Sequence, residues 1–382
     1  MRLSARASSV SESRTLGLWT ELARLRAAGE DVVGLLEGEA DLPPPPEVVS
    51  AVARAVRSGA TRYSHSAGLP ELRAAIARAL QREGVPARPD GVLVTNGAKQ
   101  AVYELLQTLC APGDEVLIPT PCWTTFPAAA RLAGAKPVLV PAAPDHQLDV
   151  DALGRAAGAR TRGLILNTPN NPTGAVYSRE ALRAVLRLAR RKSLFVISDE
   201  AYEALVFDGA EHVSCASLAP RDVLTVRTFS KTYSMTGFRV GYAAGDPRVL
   251  AAATRLHSHL TGNVCTFAQH GALAALELGS AYRAKRRAIF ERRRDLAFAE
   301  ASRLFGCVKP AGGFFVFPDA RRYLGRRFRD SEALARHLLR AARVAVVPGS
   351  ACGLEGHLRV SFSFSEAAIR EGFARMRRVL TP

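Results

Sequence analysis

T-F-S-K-T-Y-S-M-T-G-F-R-V-G-Y, residues 228–242, holds a lysine in a chain that otherwise supplies positive charge as arginine. Six lysines stand against forty-six arginines among 382 residues, and Lys231 is one of the six. A guanidinium stays protonated, whereas a lysine amine can lose its proton and attack a carbonyl. A solvated surface lysine is the plain alternative, and the neighbours argue against it. Thr228, Ser230 and, eight residues past the lysine, Arg239 offer two hydroxyls and a guanidinium fork. That set suits a doubly charged phosphate.

Outward from this stretch the chain alternates short β-rich runs with segments of helical period. Strands are expected at 92–95, 115–118, 137–140, 163–167, 194–198, 224–227 and 240–243, with helices at 100–110, 179–190 and 248–259 between them. Pro43–Pro46 forms a short polyproline turn whose last proline opens a helix over 47–58. Such alternation predicts an α/β fold: a mostly parallel, twisted, seven-stranded sheet covered on both faces. Ligands of these sheets bind beyond the carboxyl ends of the strands. Past residue 280 the pattern becomes α+β, with a long charged helix at 282–304, strands at 313–317, 344–347 and 358–362, and helices at 331–341 and 365–379. The expected division is an N-terminal arm and small-domain segment (1–42), a large domain (43–280) and a small C-terminal domain (281–382).

Three further motifs follow predicted strands. V-T-N-G-A-K-Q-A (94–101) puts the backbone N–H groups of Gly97, Ala98 and Lys99 at a helix start, where they would attract an anion. An ordinary βα turn would look the same. N-T-P-N-N-P-T-G (167–174) gathers three of the chain's five asparagines, and its prolines and glycine would hold the Asn171 amide rigidly. S-D-E-A-Y (198–202) places Asp199 at the end of an apolar strand, where a carboxylate is costly unless a cation meets it. A protonated pyridine nitrogen would serve, and so would a structural salt bridge.

In this order the four motifs resemble those of the class I, aspartate aminotransferase-like enzymes of fold type I, which use pyridoxal 5'-phosphate (PLP). The resemblance runs from L-L-E-G-E-A-D near residue 38, through Y-S-H-S-A-G-L-P-E-L-R (63–73), to H-L-R-V-S-F-S (357–363). It implies that Lys231 holds PLP as a Schiff base and shuttles the substrate proton. Asp199 would keep the pyridine nitrogen protonated, Tyr202 and Asn171 would bond the phenolic oxygen, and Trp123 would stack on the ring. The phosphate would sit on the backbone of Gly97, Ala98 and Lys99 and on Thr228, Ser230 and Arg239. Tyr63 would join them from the second subunit of a homodimer. Arg359, with Asn171 and the Gly38 backbone, would clamp the substrate α-carboxylate. Ala40 and Cys122 depart from the family pattern, which has a proline and more often an aromatic there. These departures bear on substrate fit.

The reaction so implied moves an amino group from an L-amino acid, aspartate-type or broad neutral and aromatic, to a 2-oxo acid such as 2-oxoglutarate. A distal cation for a dicarboxylic donor would come from Arg14, Arg255, His257 or His259. Two other readings are an enzyme of the same fold doing lyase, cyclase or oxidase chemistry, and a non-catalytic DNA-binding regulator. The formal charge of +17 invites the second, but no helix-turn-helix segment accompanies it. The arginine-dense stretch 283–294 is expected to be a solvated helix face, and no nucleic-acid partner is expected. The six cysteines show no metal-ligand spacing and are expected as reduced, mostly buried thiols of a cytoplasmic protein. No metal is expected. No apolar run reaches the length of a membrane span.

Overall fold

The computed structural model describes residue 8 and residues 14–381. Among the described residues twelve strands fall into three sheets: β1 (Val33–Gly34), β2 (Val92–Thr95), β3 (Glu115–Thr120), β4 (Lys136–Pro141), β5 (Thr161–Asn167), β6 (Phe195–Asp199), β7 (Val223–Thr228), β8 (Gly241–Ala244), β9 (Phe315–Val316), β10 (Val344–Ala345), β11 (Val347–Pro348) and β12 (Leu358–Ser361). The seven strands expected in the large sheet are the seven observed, in the order β2-β8-β7-β6-β5-β3-β4. Strand β8 runs against its two neighbours, and the remaining pairs are parallel.

Burial on both faces explains the continuous apolar runs. Every residue of β2, β3, β7 and β8 is buried. One face packs on Ile76, Leu80, Leu182, Val185 and their neighbours. The other packs on Val102, Leu106, Phe126, Leu250 and Ala253. Pro46 occupies the first turn of its helix, Pro46–Arg57, where a missing N–H costs nothing. Beyond the large sheet, Phe290, Phe314, Leu338, Val360, Phe373 and Met376 form a separate core. The N-terminal helix Arg14–Ala27 lays Leu18, Leu22 and Leu25 against Leu339, Ala345 and Val347, and β1 pairs with β10.

Two expectations need correction. The run 344–347 is two strands, because β10 pairs with β1 and β11 with β12 in a different sheet. Buried Val346 marks the change of partner. The arginine stretch 283–294 is not simply a solvated face. On the helix Gly279–Leu304, Arg286, Arg293 and Arg294 are buried. Arg293 meets Asp41 at 2.7 Å and the Ser363 carbonyl at 2.9 Å. Arg294 meets Asp208 at 2.8 Å, and Arg286 reaches the Pro43 carbonyl at 3.0 Å. Three of the seven basic residues of this stretch are internal stitching, and the other four stay exposed or half-buried.

Candidate active site

The parallel strands β5, β6 and β7 end side by side, and their last residues are Asn167, Asp199 and Thr228. Register fixes them: Asn167 lies opposite Asp199, and Thr228 lies opposite Gly241 of β8. A cavity of about 430 Å³ opens beyond these ends. Gly38, Ala98, Lys99, Trp123, Asn171, Asp199, Tyr202, Thr228, Ser230, Lys231, Arg239 and Arg359 all line it. Sequence positions from 38 to 359 thus converge on one space. Gly97 sits in the turn behind the wall, and Tyr63 stands away from the cavity, 96% exposed.

The Lys231 ammonium donates to the Gly38 carbonyl at 2.6 Å. Burial, then the guanidinium groups of Arg359 and Arg239, bring its pKa down to about 8. Asp199 is 2% exposed and is held by the Ala201 N–H at 3.1 Å. Burial pushes its carboxyl up to about 7, against the pull of that N–H and of Lys231. The Tyr202 hydroxyl is also driven up by burial, and it shares a hydrogen bond with the Asn171 side chain. Phe314 packs edge-on to its ring at 5.1 Å.

A run of hydrogen bonds fixes the carboxylate end. Asn167 donates to the Asp199 carbonyl at 3.0 Å and accepts from the Asn171 N–H at 2.8 Å. Asn171 Oδ1 in turn accepts from Arg359 Nη1 at 3.2 Å, while Arg359 Nη2 donates to the Leu36 carbonyl at 2.8 Å. The guanidinium lies 4.4 Å over the Phe315 ring, and its Nε has no partner. A buried guanidinium edge left unsatisfied awaits an acceptor.

At the opposite end, Thr228 Oγ1 donates to Ser230 Oγ at 2.9 Å. Arg239 takes a left-handed backbone (φ 57°) and donates to the Thr236 and Asn96 carbonyls at 2.9 and 3.1 Å. Gly97 adopts φ 78°, and a Cβ there would fall 2.7 Å from Arg239 Nη2, so only glycine lets the guanidinium approach. One expectation fails at this turn: the Gly97 N–H is spent on the Thr95 carbonyl at 2.7 Å. Ala98 and Lys99 are left as the N–H donors of the first turn of the helix Ala98–Leu109.

Lys99, Lys231, Arg239 and Arg359 all reach the cavity, and among the described residues none of them makes a salt bridge. Arginines elsewhere do so repeatedly. Four cations around one carboxylate make a site for a ligand carrying several negative charges.

The distal-cation candidates fare differently. His257 is buried against Glu104 at 3.0 Å, and Arg255 and His259 are exposed and away from the cavity wall. The Arg14 side chain lies outside the described residues. Lys99 contributes its side chain, 5.5 Å from the Trp123 ring, where its backbone alone was expected. Its rarity as one of six lysines was the available signal. Trp19 and Leu36 also line the cavity, and nothing in the sequence pattern marked them. Cys122 faces the adjoining groove instead. Three of the six cysteines are buried and three are half-buried.

Comparison with known proteins agrees with this geometry. The sequence profile of the family described as aminotransferase class I and II matches residues 30–376. A probable aspartate/prephenate aminotransferase of Aquifex aeolicus is 41% identical, with 99% of this chain and 98% of that protein aligned. The aspartate aminotransferase of Bacillus subtilis is 36% identical over 99% of this chain and 98% of its own length. The structure of Thermus thermophilus aspartate aminotransferase with maleate superposes with a TM-score of 0.95 at 39% identity, covering both chains fully. The fold type I architecture and amino-acid aminotransferase activity follow, and the lyase, cyclase, oxidase and regulator readings are not favoured. The chain belongs to the class I and II aminotransferases.

Proposed function

We propose that this aminotransferase uses PLP to move the amino group of a dicarboxylic donor, aspartate first, to a 2-oxo acid such as 2-oxoglutarate in two half-reactions. The observation that carries the reading is the set of four cations without a salt bridge, Lys99, Lys231, Arg239 and Arg359, around the one buried carboxylate of Asp199. The residues fit the cofactor on three counts. Asp199 is buried with no partner of full opposite charge except Lys231. Arg359 lines the cavity with an Nε that has no partner, and the Gly97 turn leaves room for the Arg239 guanidinium.

PLP when bound would supply the electron sink that makes the substrate α-proton removable. Asp199 would hold its ring nitrogen, and Tyr202 with Asn171 its phenolic oxygen. Thr228, Ser230, Arg239 and the first-turn N–H groups would hold its phosphate. Trp123 would cover its face. Lys231, with its lowered pKa, is suited to take the α-proton as a neutral amine and return it at the neighbouring carbon. Arg359 would clamp the α-carboxylate bidentately and orient that proton toward Lys231. Lys99, at the far wall, is suited to the distal carboxylate of aspartate.

The relatives' names bring prephenate as a second acceptor class. Tyr63, wholly exposed and outside its own cavity, would complete the phosphate site of a second subunit, which makes the active form a homodimer. The large cofactor-binding domain would span 43–280 and the small one 281–382, with 1–42 as the arm. The thiols, unbridged among the described residues, fit a cytoplasmic setting.

The test is the visible absorbance of protein reconstituted with PLP. Bleaching by L-aspartate and restoration by 2-oxoglutarate is the expected result. Net release of ammonia from L-aspartate, with no bleaching that 2-oxoglutarate reverses, would overturn the aminotransferase assignment of the site, and absence of bound PLP would overturn the cofactor assignment.

A further inference from the structure

Trp19 is one of only two tryptophans in the chain, and it sits on the helix Arg14–Ala27. Leu18, Leu22 and Leu25 anchor that helix through a different face, each 8% exposed or less. Trp19, about a quarter-turn round the helix from that stripe, is 40% exposed and lines the cavity beside Leu36 and Gly38. Among the described residues no aromatic ring and no cation is stacked on its indole. The second tryptophan, Trp123, is engaged by Phe126 at 5.4 Å and by Lys99. One indole of the pair is therefore in use as a wall, and the other presents an open face at the mouth of the same cavity.

An exposed indole face has a driving force to be covered, and it is covered best by another flat or apolar group. On that reading Arg359 sets the α-carboxylate of a bound substrate and Lys99 a distal one. The substrate's own side chain is the group left to meet Trp19 at the mouth. A short aspartate side chain is fully used by a distal cation and has no apolar surface to offer. A ring-bearing side chain has that surface.

We propose that Trp19 is a specificity-determining residue that admits ring-bearing amino acids and oxo acids alongside the short dicarboxylic ones, by packing its indole against the substrate ring. The inference rests on the aminotransferase reading of the site given above. Aromatic packing of this kind is worth roughly two- to tenfold beyond the area buried. Truncation, which also loses that area, should therefore cost the ring-bearing substrate on the order of tenfold or more.

The experiment compares wild type, Trp19→Phe and Trp19→Ala as PLP-loaded enzymes with L-aspartate and L-phenylalanine as donors. Binding of the unreactive acids succinate and 3-phenylpropionate is followed by tryptophan fluorescence. The expected result is a drop in kcat/KM for L-phenylalanine of about tenfold or more in Trp19→Ala, with L-aspartate changed less than about threefold and Trp19→Phe close to wild type. 3-Phenylpropionate should bind more weakly to Trp19→Ala, and it should quench a fluorescence component that Trp19→Phe lacks. Equal losses for both donors would overturn the proposal in favour of a general role for the helix. No loss for either would mean that the indole meets solvent only. A wild type that turns over L-aspartate but no ring-bearing donor also overturns it while leaving the aminotransferase reading intact. A wild type inactive with both donors defeats that reading itself.

Discussion

Asp199 and Glu200 are adjacent, both buried, and their acidities move in opposite directions. Burial raises Asp199 to about 7, whereas Glu200, under the same desolvation, is held down at about 2 by Arg227 and His212. Successive residues at a strand end point to opposite sides, and here the sides differ in partners. Glu200 accepts from Arg227 Nη2 and Ser214 Oγ at 2.9 Å, from Ser198 Oγ at 3.0 Å and from the Cys215 N–H at 3.2 Å. Asp199 faces the cavity with one backbone N–H and a lysine whose own ammonium is destabilised. Saturated charge builds structure, and charge left short of partners is available for chemistry. The same contrast separates Arg293 and Arg294, each paired with an aspartate, from the four cavity cations, whose hydrogen bonds go only to neutral groups.

The most severe way to test this division is Lys231→Ala. Transamination should fall by on the order of 10⁴-fold or more while the fold is kept, because the group removed has only one carbonyl partner. Activity with thermal unfolding, on one preparation, separates the two effects. Asp199→Asn should cost about 10²- to 10⁴-fold in kcat, again with little loss of stability.

On the structural side, Glu200→Gln should leave the catalytic constants within a few-fold. It should destabilise by about 3 kcal/mol, since a buried Arg227 keeps Glu83 as its remaining salt-bridge partner. Urea unfolding would measure it, and a large loss of kcat in a folded Glu200→Gln protein would erase the distinction between the two carboxylates.

pH offers a subtler comparison in cofactor-free protein. The folded pKa of Asp199 is raised, so between about 4 and 7 the native state binds the proton and the unfolded state does not. Its contribution to stability therefore falls as pH rises through that window. The folded pKa of Glu200 is lowered, so its contribution is present above about 4.5 and is lost as pH falls toward 2. The Asp199→Asn variant should flatten the first slope and leave the acid limb in place.

The smallest effect is expected at the rim. Lys99→Met should lower kcat/KM for L-aspartate by about tenfold and leave L-alanine nearly unchanged, if the distal carboxylate meets that ammonium. Equal changes for both donors would remove Lys99 from substrate recognition.

Much of this contrast was legible beforehand, and unevenly. The inner strands of the large sheet show in the apolar runs because they are buried on both faces, whereas the edge strand β4 is largely exposed, and the motifs that end the central strands name the cavity residues. The partners of the arginines were hidden. Arg293 meets Asp41 across 252 positions and Ser363 across 70, and helical period alone cannot say which arginine of a dense row turns inward. The run 344–347 likewise reads as one strand, because a change of sheet midway leaves no local trace. Lys99 was visible only as backbone, since the direction of a side chain at a helix start depends on what packs beside it.

The sequence by itself determined the residue types at the strand ends, the alternation that makes the sheet, and hence the family. Those are local properties: periodicity, turn chemistry and motif order. Tertiary structure alone decided which buried charges are neutralised and which are left open, and that Trp19 joins Lys231 and Arg359 around one cavity. The physical reason is that desolvation and ion pairing depend on distance in space, and the partners that set them are brought together only when the chain folds.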